Sequence, residues 1–143
     1  MINKTASAHW TGGLKDGTGQ ISTESGALNA QPYGFNTRFE DKAGTNPEEL
    51  IGAAHAGCFS MAFSMILGDY DAVADAIDTK ATVSLEKQEA GFAITTIHLD
   101  MTATIPGLSE ADFQKAAKTA KENCPVSKVL AGAKITLDAK LTN

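Results

Sequence analysis

One long uncharged stretch limits how this chain can fold. The 18 residues from Leu50 to Leu67 include no Asp, Glu, Lys or Arg. As an α-helix the stretch measures roughly 27 Å, which is shorter than a bilayer core of about 30 Å. Polar and small residues such as Gly52, His55 and Ser60 also dilute it. We therefore predict a helix that is buried in a protein core or a subunit interface, and not a membrane span.

The residues just before this stretch predict where the helix begins. Asn46 is the expected N-cap, and Pro47 suits the first helical position. Glu49 follows the cap by three residues and completes a capping box. Gly68 is the expected end of the helix.

The rest of the chain predicts a mixture of strands and helices. Predicted strands cover residues 5–11, 19–24, 36–40, 78–88, 92–104 and 134–141, and two further helices cover 110–122 and 125–130. Residues 28–35 are predicted to form an ordered loop. The expected order is βββ-α-ββ-α-α-β, which belongs to the α+β class. At 143 residues, the whole of 1–143 is expected to form one domain.

The net charge and the N-terminal residues of the chain indicate which partners and which cellular compartment to expect. The net charge is −5 and the pI is near 5.1, whereas nucleic acids and anionic membranes select basic surfaces. We therefore expect neither a nucleic-acid partner nor a membrane partner. Residues 1–10 contain no apolar run typical of a secretory signal, so a cytoplasmic location is expected. In that reducing compartment a disulfide would be transient or catalytic.

The two cysteines, Cys58 and Cys124, are the first candidates for chemistry. Cys58 lies in the long helix, on an apolar face that we predict to be packed. The other residues of that face are Ile51, Ala54, Met61 and Met65. A thiol buried there ionises only if a cation offsets its burial. Cys124 precedes Pro125, where free backbone N–H groups can stabilise a thiolate. The pair suits a redox couple better than a zinc site, and the alternative is two small core residues.

Arg38, the only arginine, is the candidate cation. It falls in a predicted strand and carries a planar guanidinium that can hold a thiolate and a peroxide oxygen. Glu48, in the first turn of the long helix, is the candidate carboxylate that orients it. The alternative for Arg38 is a surface ion pair with Glu40 or Asp41.

The three histidines are weaker candidates. His55 precedes Cys58 by three residues on the same helix, which is the spacing of a Cys/His nucleophile in a hydrolase. No third residue that would orient His55 can be named. His9 and His98 lie in separate predicted strands without cysteine or acidic residues at ligand spacing, so no metal site is predicted.

Several separated motifs resemble one protein family. Residues 46–60 and 124–127 closely resemble the OsmC/Ohr family of hydroperoxide-reducing proteins. Residues 22–26 and 31–39 are similar to its osmotically inducible OsmC branch. The likeness covers essentially the whole chain, with the motifs in the family's order.

This resemblance implies an OsmC-like fold in an intertwined homodimer with active sites at the subunit interface. It implies a peroxidase that acts on organic hydroperoxides, and less well on hydrogen peroxide. Cys58 is then the peroxidatic thiol, Cys124 the resolving thiol, and Arg38 with Glu48 the activating pair. A Cys58–Cys124 disulfide would be recycled by an external dithiol, either a thiol or a lipoyl-type reductant, with no prosthetic cofactor and no metal.

Two functions of other classes remain open on the residues alone. The first is a non-enzymatic, stress-related binding or structural dimer in which both cysteines only pack. The second is a hydrolase that uses Cys58 and His55.

Overall fold

The computed structural model describes all 143 residues, which form two compact units, Met1–Leu50 and Ile51–Asn143. Both units combine strands with helices, so the predicted α+β class is confirmed. The boundary between the units falls within the long helix.

The first unit is built on a three-stranded antiparallel sheet. Its strands are β1 (Ala6–Thr11), β2 (Thr18–Thr23) and β3 (Gln31–Tyr33), in the order β1-β2-β3. Gly19 of β2 lies opposite both Trp10 and Tyr33, and a Cβ there would overlap the two rings. Glycine at this position lets the rings approach to a centroid distance of 5.4 Å.

The third strand and the residues after it differ from the prediction. Residues 31–33, predicted as loop, form β3 because they pair along the edge of β2, and an edge strand accepts Pro32. Residues 36–40, predicted as a strand, belong largely to a short helix, α1 (Phe35–Phe39).

Local contacts explain why α1 is helical. Its two phenylalanines, Phe35 and Phe39, are four residues apart and their ring centroids lie 4.9 Å apart, as on one helix face. The Gly34 N–H donates to the Thr37 hydroxyl at 2.9 Å, and the Arg38 N–H donates to the Gly34 carbonyl. Arg38 therefore lies on a helix and not on a strand.

The long helix, α2 (Pro47–Leu67), begins where the capping residues predicted. The Glu49 N–H donates to Asn46 Oδ1 at 2.8 Å, and Asn46 Nδ2 donates to the Glu49 carboxylate at 2.7 Å. A single 3-10 turn, Gly68–Tyr70, follows its last residue. By length and hydropathy alone, the segment Pro47–Tyr70 is sufficient to cross a bilayer.

The second unit contains a mixed three-stranded sheet. β4 (Ala76–Gln88) and β5 (Gly91–Thr104) form an antiparallel hairpin, and β6 (Lys134–Leu141) pairs parallel to β5. Parallel neighbours require a crossover. That crossover consists of α3 (Glu110–Asn123) and α4 (Pro125–Val129).

Aromatic side chains from two helices form the centre of this unit's core. Phe63 of α2 stacks parallel to Phe59 and meets Phe113 of α3 edge to face, with centroids 6.2 and 5.7 Å apart. All three side chains are fully buried. They pack in one hydrophobic cluster with the inward residues of β5, which include Ile97, Leu99 and Met101.

The packed face of α2 is not the predicted one. The buried residues of the helix are Gly52, His55, Phe59, Phe63, Ile66 and Leu67. Met61 and Met65 are instead 77% and 75% exposed, and Ala54 and Gly57 are exposed on the same side. We call these four residues the open face. Because the helix is apolar almost all round, its pattern does not distinguish one apolar side from the other.

Candidate functional site

Arg38 and Glu48 form a close ion pair in the first unit. Arg38 Nε lies 3.0 and 3.2 Å from the two carboxylate oxygens of Glu48, and Nη2 lies 2.6 Å from Oε1. The Glu48 side chain is only 13% exposed. No protein acceptor contacts Arg38 Nη1, and Arg38 forms no ion pair with Glu40 or Asp41. The carboxylate therefore orients the guanidinium and leaves one of its nitrogens available.

An apolar cavity adjoins this ion pair. Its volume is about 240 Å³, and Arg38 is its only charged lining residue. The other lining residues are Trp10, Leu14, Tyr33, Gly34, Phe35, Phe39 and Pro47. The guanidinium carbon also lies 5.4 Å from the centroid of the Phe39 ring. A cation beside aromatic walls suits a ligand with a polar end and an apolar body.

The two cysteines meet in the second unit, although 66 residues separate them in the sequence. Both are free thiols, and their sulfur atoms lie close enough to affect each other's pKa. Cys58 lies within α2 and is partly exposed, whereas Cys124 caps α4 and is fully buried. Only Cys58 has surface that a substrate can reach.

Burial and hydrogen bonds shift the pKa values of the two thiols in opposite directions. Burial and the bond with Cys124 raise the pKa of Cys58, although the Val126 N–H acts in the opposite direction. Burial also opposes ionisation of Cys124, but the bond from Cys58 and the N–H and hydroxyl of Ser127 outweigh it and lower the Cys124 pKa. The two thiols titrate as a coupled pair, and the accessible Cys58 thiol requires a cation to become the nucleophile.

A buried histidine contacts the cysteine pair through Ser127. His55 Nε2 lies 2.7 Å from Ser127 Oγ, His55 is fully buried and Ser127 is 5% exposed. His55 Nδ1 has no hydrogen-bond partner. His55 is thus directed to Ser127 and not to Cys58, so the Cys58/His55 dyad of a hydrolase is not formed. Burial also lowers the pKa of His55, which keeps the ring neutral at pH 7.

Sequence spacing did not indicate the contact between His55 and Ser127. Each residue lies three positions from a cysteine, His55 before Cys58 and Ser127 after Cys124. One turn of helix separates residues at that spacing, so a cysteine contact between α2 and α4 also brings these two side chains together. This symmetry about the two cysteines was the available signal.

A second polar cluster lies on the sheet of the same unit. His98 Nε2 is 3.3 Å from Asp100 and 3.2 Å from Asp138, and Nδ1 is 2.6 Å from the Thr136 hydroxyl. These oxygen and nitrogen atoms are of the types that hold a divalent cation. The Asp138 side chain is 82% exposed, so we interpret the cluster as a solvated ion-pair group. The parallel pairing of β6 with β5, which sequence spacing does not show, places Asp138 there. Asp100 lies two residues from His98 on the same strand, so the expectation that no acidic residue lies at ligand spacing from His98 in the sequence was wrong.

Comparison with known proteins relates the chain to peroxide-reducing proteins. The family model for OsmC-like protein matches residues 39–140. Peroxiredoxin OsmC of Escherichia coli (strain K12) is 57% identical over 140 residues, which cover 98% of this chain and 97% of that protein. Organic hydroperoxide resistance protein OhrB of Bacillus subtilis (strain 168) is 30% identical over 125 residues, covering 86% and 87%.

A solved structure agrees with these relatives. The crystal structure of OhrB of Bacillus subtilis superimposes with a TM-score of 0.68 at 26% identity, covering 96% of this chain and 98% of that one. The fold, the contacting free thiols and the close relatives together show that this chain belongs to the OsmC/Ohr family of thiol-dependent peroxidases.

Proposed function

We propose that this protein reduces organic hydroperoxides to alcohols through a sulfenic acid on Cys58 and a Cys58–Cys124 disulfide. One observation supports this proposal above the others. Two free thiols touch across 66 residues of sequence, one partly exposed and one fully buried. A peroxidatic thiol has to meet substrate, and a resolving thiol needs only to reach the first.

In the first step the Cys58 thiolate attacks the terminal oxygen of the hydroperoxide. The O–O bond breaks, a sulfur–oxygen bond forms, and the alkoxide takes a proton to become the alcohol. In the second step Cys124 attacks the Cys58 sulfenic acid and releases water. The resulting disulfide is reduced by thiol–disulfide exchange with an external thiol or lipoyl-type dithiol. Peroxiredoxins carry out this chemistry on cysteine without a prosthetic cofactor.

Arg38 and Glu48 are proposed to activate Cys58. The pKa of Cys58 is raised within one chain, and no cation of the second unit contacts either sulfur. A guanidinium held by Glu48 supplies the missing charge and a donor for the peroxide oxygen. In the homodimer that we propose, this pair and the cysteine pair form one site at the subunit interface.

The open face of α2 supports the homodimer. Met61 and Met65 lie on an apolar helix side with almost no cover in a single chain. Such a surface is typical of a protein interface. We propose a second copy of the chain as its partner, and an intertwined arrangement in which 1–143 acts as one domain. The family match over 39–140 crosses the boundary between the two units, which favours a single domain.

The apolar cavity beside Arg38 supports the substrate class. Its aromatic and aliphatic walls suit the carbon body of an organic hydroperoxide, while hydrogen peroxide has nothing to place there. One of the relatives is named as an organic hydroperoxide resistance protein. We also propose a cytoplasmic location, where dithiol reductants are maintained.

Steady-state kinetics with a dithiol reductant test this function. We expect a higher kcat/KM for cumene hydroperoxide than for hydrogen peroxide, by about tenfold for burial of an aryl group. Equal values would contradict the apolar substrate. Turnover that persists in Cys58→Ser would contradict the peroxidase mechanism and favour a dimer whose cysteines only pack.

A further inference from the structure

A continuous set of buried polar contacts leads from His55 to the reacting sulfur atoms. His55 Nε2 contacts Ser127 Oγ at 2.7 Å, the Ser127 side chain lies beside the Cys124 thiol, and that thiol lies beside Cys58. All of these residues lie in the second unit. Burying a polar group without a hydrogen-bond partner is unfavourable. His55 Nδ1 carries such a cost, since it has no partner.

The donors and acceptors of His55 and Ser127 indicate which of the two side chains donates to the other. Burial keeps the imidazole neutral, so one nitrogen carries a proton and the other accepts. If Nδ1 carried the proton, the Ser127 hydroxyl would have to donate to Nε2 and would be lost to Cys124. With the proton on Nε2, the ring donates to Ser127 Oγ and the hydroxyl donates to the Cys124 sulfur. The second arrangement is the one that gives the Cys124 sulfur a hydroxyl donor.

We propose that His55 and Ser127 are positioning residues that donate in series and hold Cys124 as a thiolate directed at the Cys58 sulfur. This inference rests on the proposed function, and it assigns the pair to the resolving step. The Cys124 thiolate attacks the sulfur of the Cys58 sulfenic acid, so that the S–S bond forms and the S–O bond breaks. Cys124 is oxidised, the Cys58 sulfur is reduced, and the departing hydroxide takes a proton from solvent.

A serine hydrolase does not fit the same residues. Ser127 is 5% exposed and His55 is fully buried, so a substrate has no access to the hydroxyl. No carboxylate orients His55, because Nδ1 has no partner. The hydroxyl instead contacts a sulfur atom that needs a donor.

Single-turnover measurements with matched variants test the proposal. Ser127→Ala and His55→Leu remove a donor, whereas Ser127→Thr keeps the hydroxyl and His55→Gln keeps an N–H near Nε2. Rapid quenching and mass spectrometry after cumene hydroperoxide separate the rate of sulfenic acid formation from the rate of disulfide formation. We expect disulfide formation to slow at least about tenfold in the first two variants, the loss expected for a hydrogen bond to a charged group.

In those two variants sulfenic acid formation stays within about twofold of wild type, which a general loss of structure would not allow. Threonine and glutamine restore the second step. Equal slowing of both steps, no slowing of either, or failure of both conservative variants to restore the second step would overturn the proposal.

A redox equilibrium gives a second readout that needs no hydroperoxide. The Cys58–Cys124 disulfide is equilibrated with glutathione mixtures in wild type, Ser127→Ala and His55→Leu. Loss of a stabilised thiolate in the reduced state makes the disulfide harder to reduce, by about tenfold or 30 mV toward negative potential. This shift without any sulfenic acid in wild type would uphold the role of His55 and Ser127 while rejecting the peroxidase proposal. An unchanged equilibrium in both variants would overturn the inference itself.

Discussion

At the residue scale, exposure and acidity point to different cysteines. Cys124 has the lowered pKa, yet it is fully buried, while Cys58 has the raised pKa and the accessible surface. A peroxidatic role requires access, because the substrate has to touch the sulfur, whereas a nearby cation can correct the acidity. For this reason we propose that Arg38 activates Cys58 and that Ser127 acts on the resolving thiol of Cys124.

Replacing Arg38 tests that task. We expect Arg38→Lys and Glu48→Gln each to reduce the rate constant of sulfenic acid formation by about 100-fold, the usual cost of one aligned donor at a reacting oxygen. Lysine keeps the charge but lacks the planar fork that Glu48 holds. Lys15→Gln is the control, because it removes a cation near Phe35 without touching the ion pair. Full activity of Arg38→Lys would show that orientation by Glu48 is unnecessary.

The buried His55 also predicts a pH dependence of stability. Its pKa in the folded state lies below the usual 6.5, so the unfolded state takes up a proton first as the pH falls. The free energy of unfolding should therefore decrease below about pH 6.5 and level off once the pH is under the folded pKa. Denaturant titrations of wild type and His55→Gln between pH 5 and 8 isolate this component, since His9 and His98 remain in both. A difference that does not vary with pH would contradict it.

At the scale of elements, local signals predicted what local contacts determine. Asn46 and Glu49 cap α2 through their own side chains, so the helix start was readable from four residues. β3 depends on pairing with β2, and its residues carry no strand pattern of their own. Phe35 and Phe39 have helical spacing, a signal that the predicted strand over residues 36–40 did not take into account. The contact of Cys58 with Cys124 is set by the packing of α2 against α4, which spacing alone does not show.

The cap of α2 can be measured directly. Asn46→Ala should lower the free energy of unfolding by about 1 kcal/mol, the usual loss for an N-cap side chain. Guanidinium titration at one fixed protein concentration gives the value, because dimerisation would otherwise shift it. The exposed Asn29 makes no side-chain contact of this kind, and Asn29→Ala should remain within experimental error of wild type. Equal effects of the two substitutions would contradict a stabilising role of the Asn46 side chain as the N-cap of α2.

At the scale of the whole molecule, the open face is an exposed apolar surface of α2. Two methionines exposed by about three quarters on an apolar helix are costly in water, and the second chain that we propose would cover them. The apolar composition of α2 predicted burial in a core or an interface, but it did not divide the helix between them. The structure places Phe59 and Phe63 inward and Met61 and Met65 outward.

Charges on the open face should disrupt the proposed dimer. In sedimentation velocity at micromolar protein, wild type should sediment as a dimer and the double variant Met61→Glu, Met65→Glu as a monomer, since two carboxylates per chain would be buried in an apolar contact. Val73 is similarly exposed at 82% and lies outside α2, so Val73→Glu is the matched control. A dimer that persists in the double variant would place the interface elsewhere.

The thiol count and intact mass after one equivalent of cumene hydroperoxide test whether Cys58 and Cys124 form a redox couple. Wild type should lose two thiols and two hydrogen atoms, as one intramolecular disulfide forms. Cys124→Ser should gain one oxygen atom on Cys58 as a trappable sulfenic acid, and Cys58→Ser should remain unchanged. Thiols that stay intact in all three proteins would contradict the account, because Cys58 and Cys124 would then be packed residues and not a redox couple.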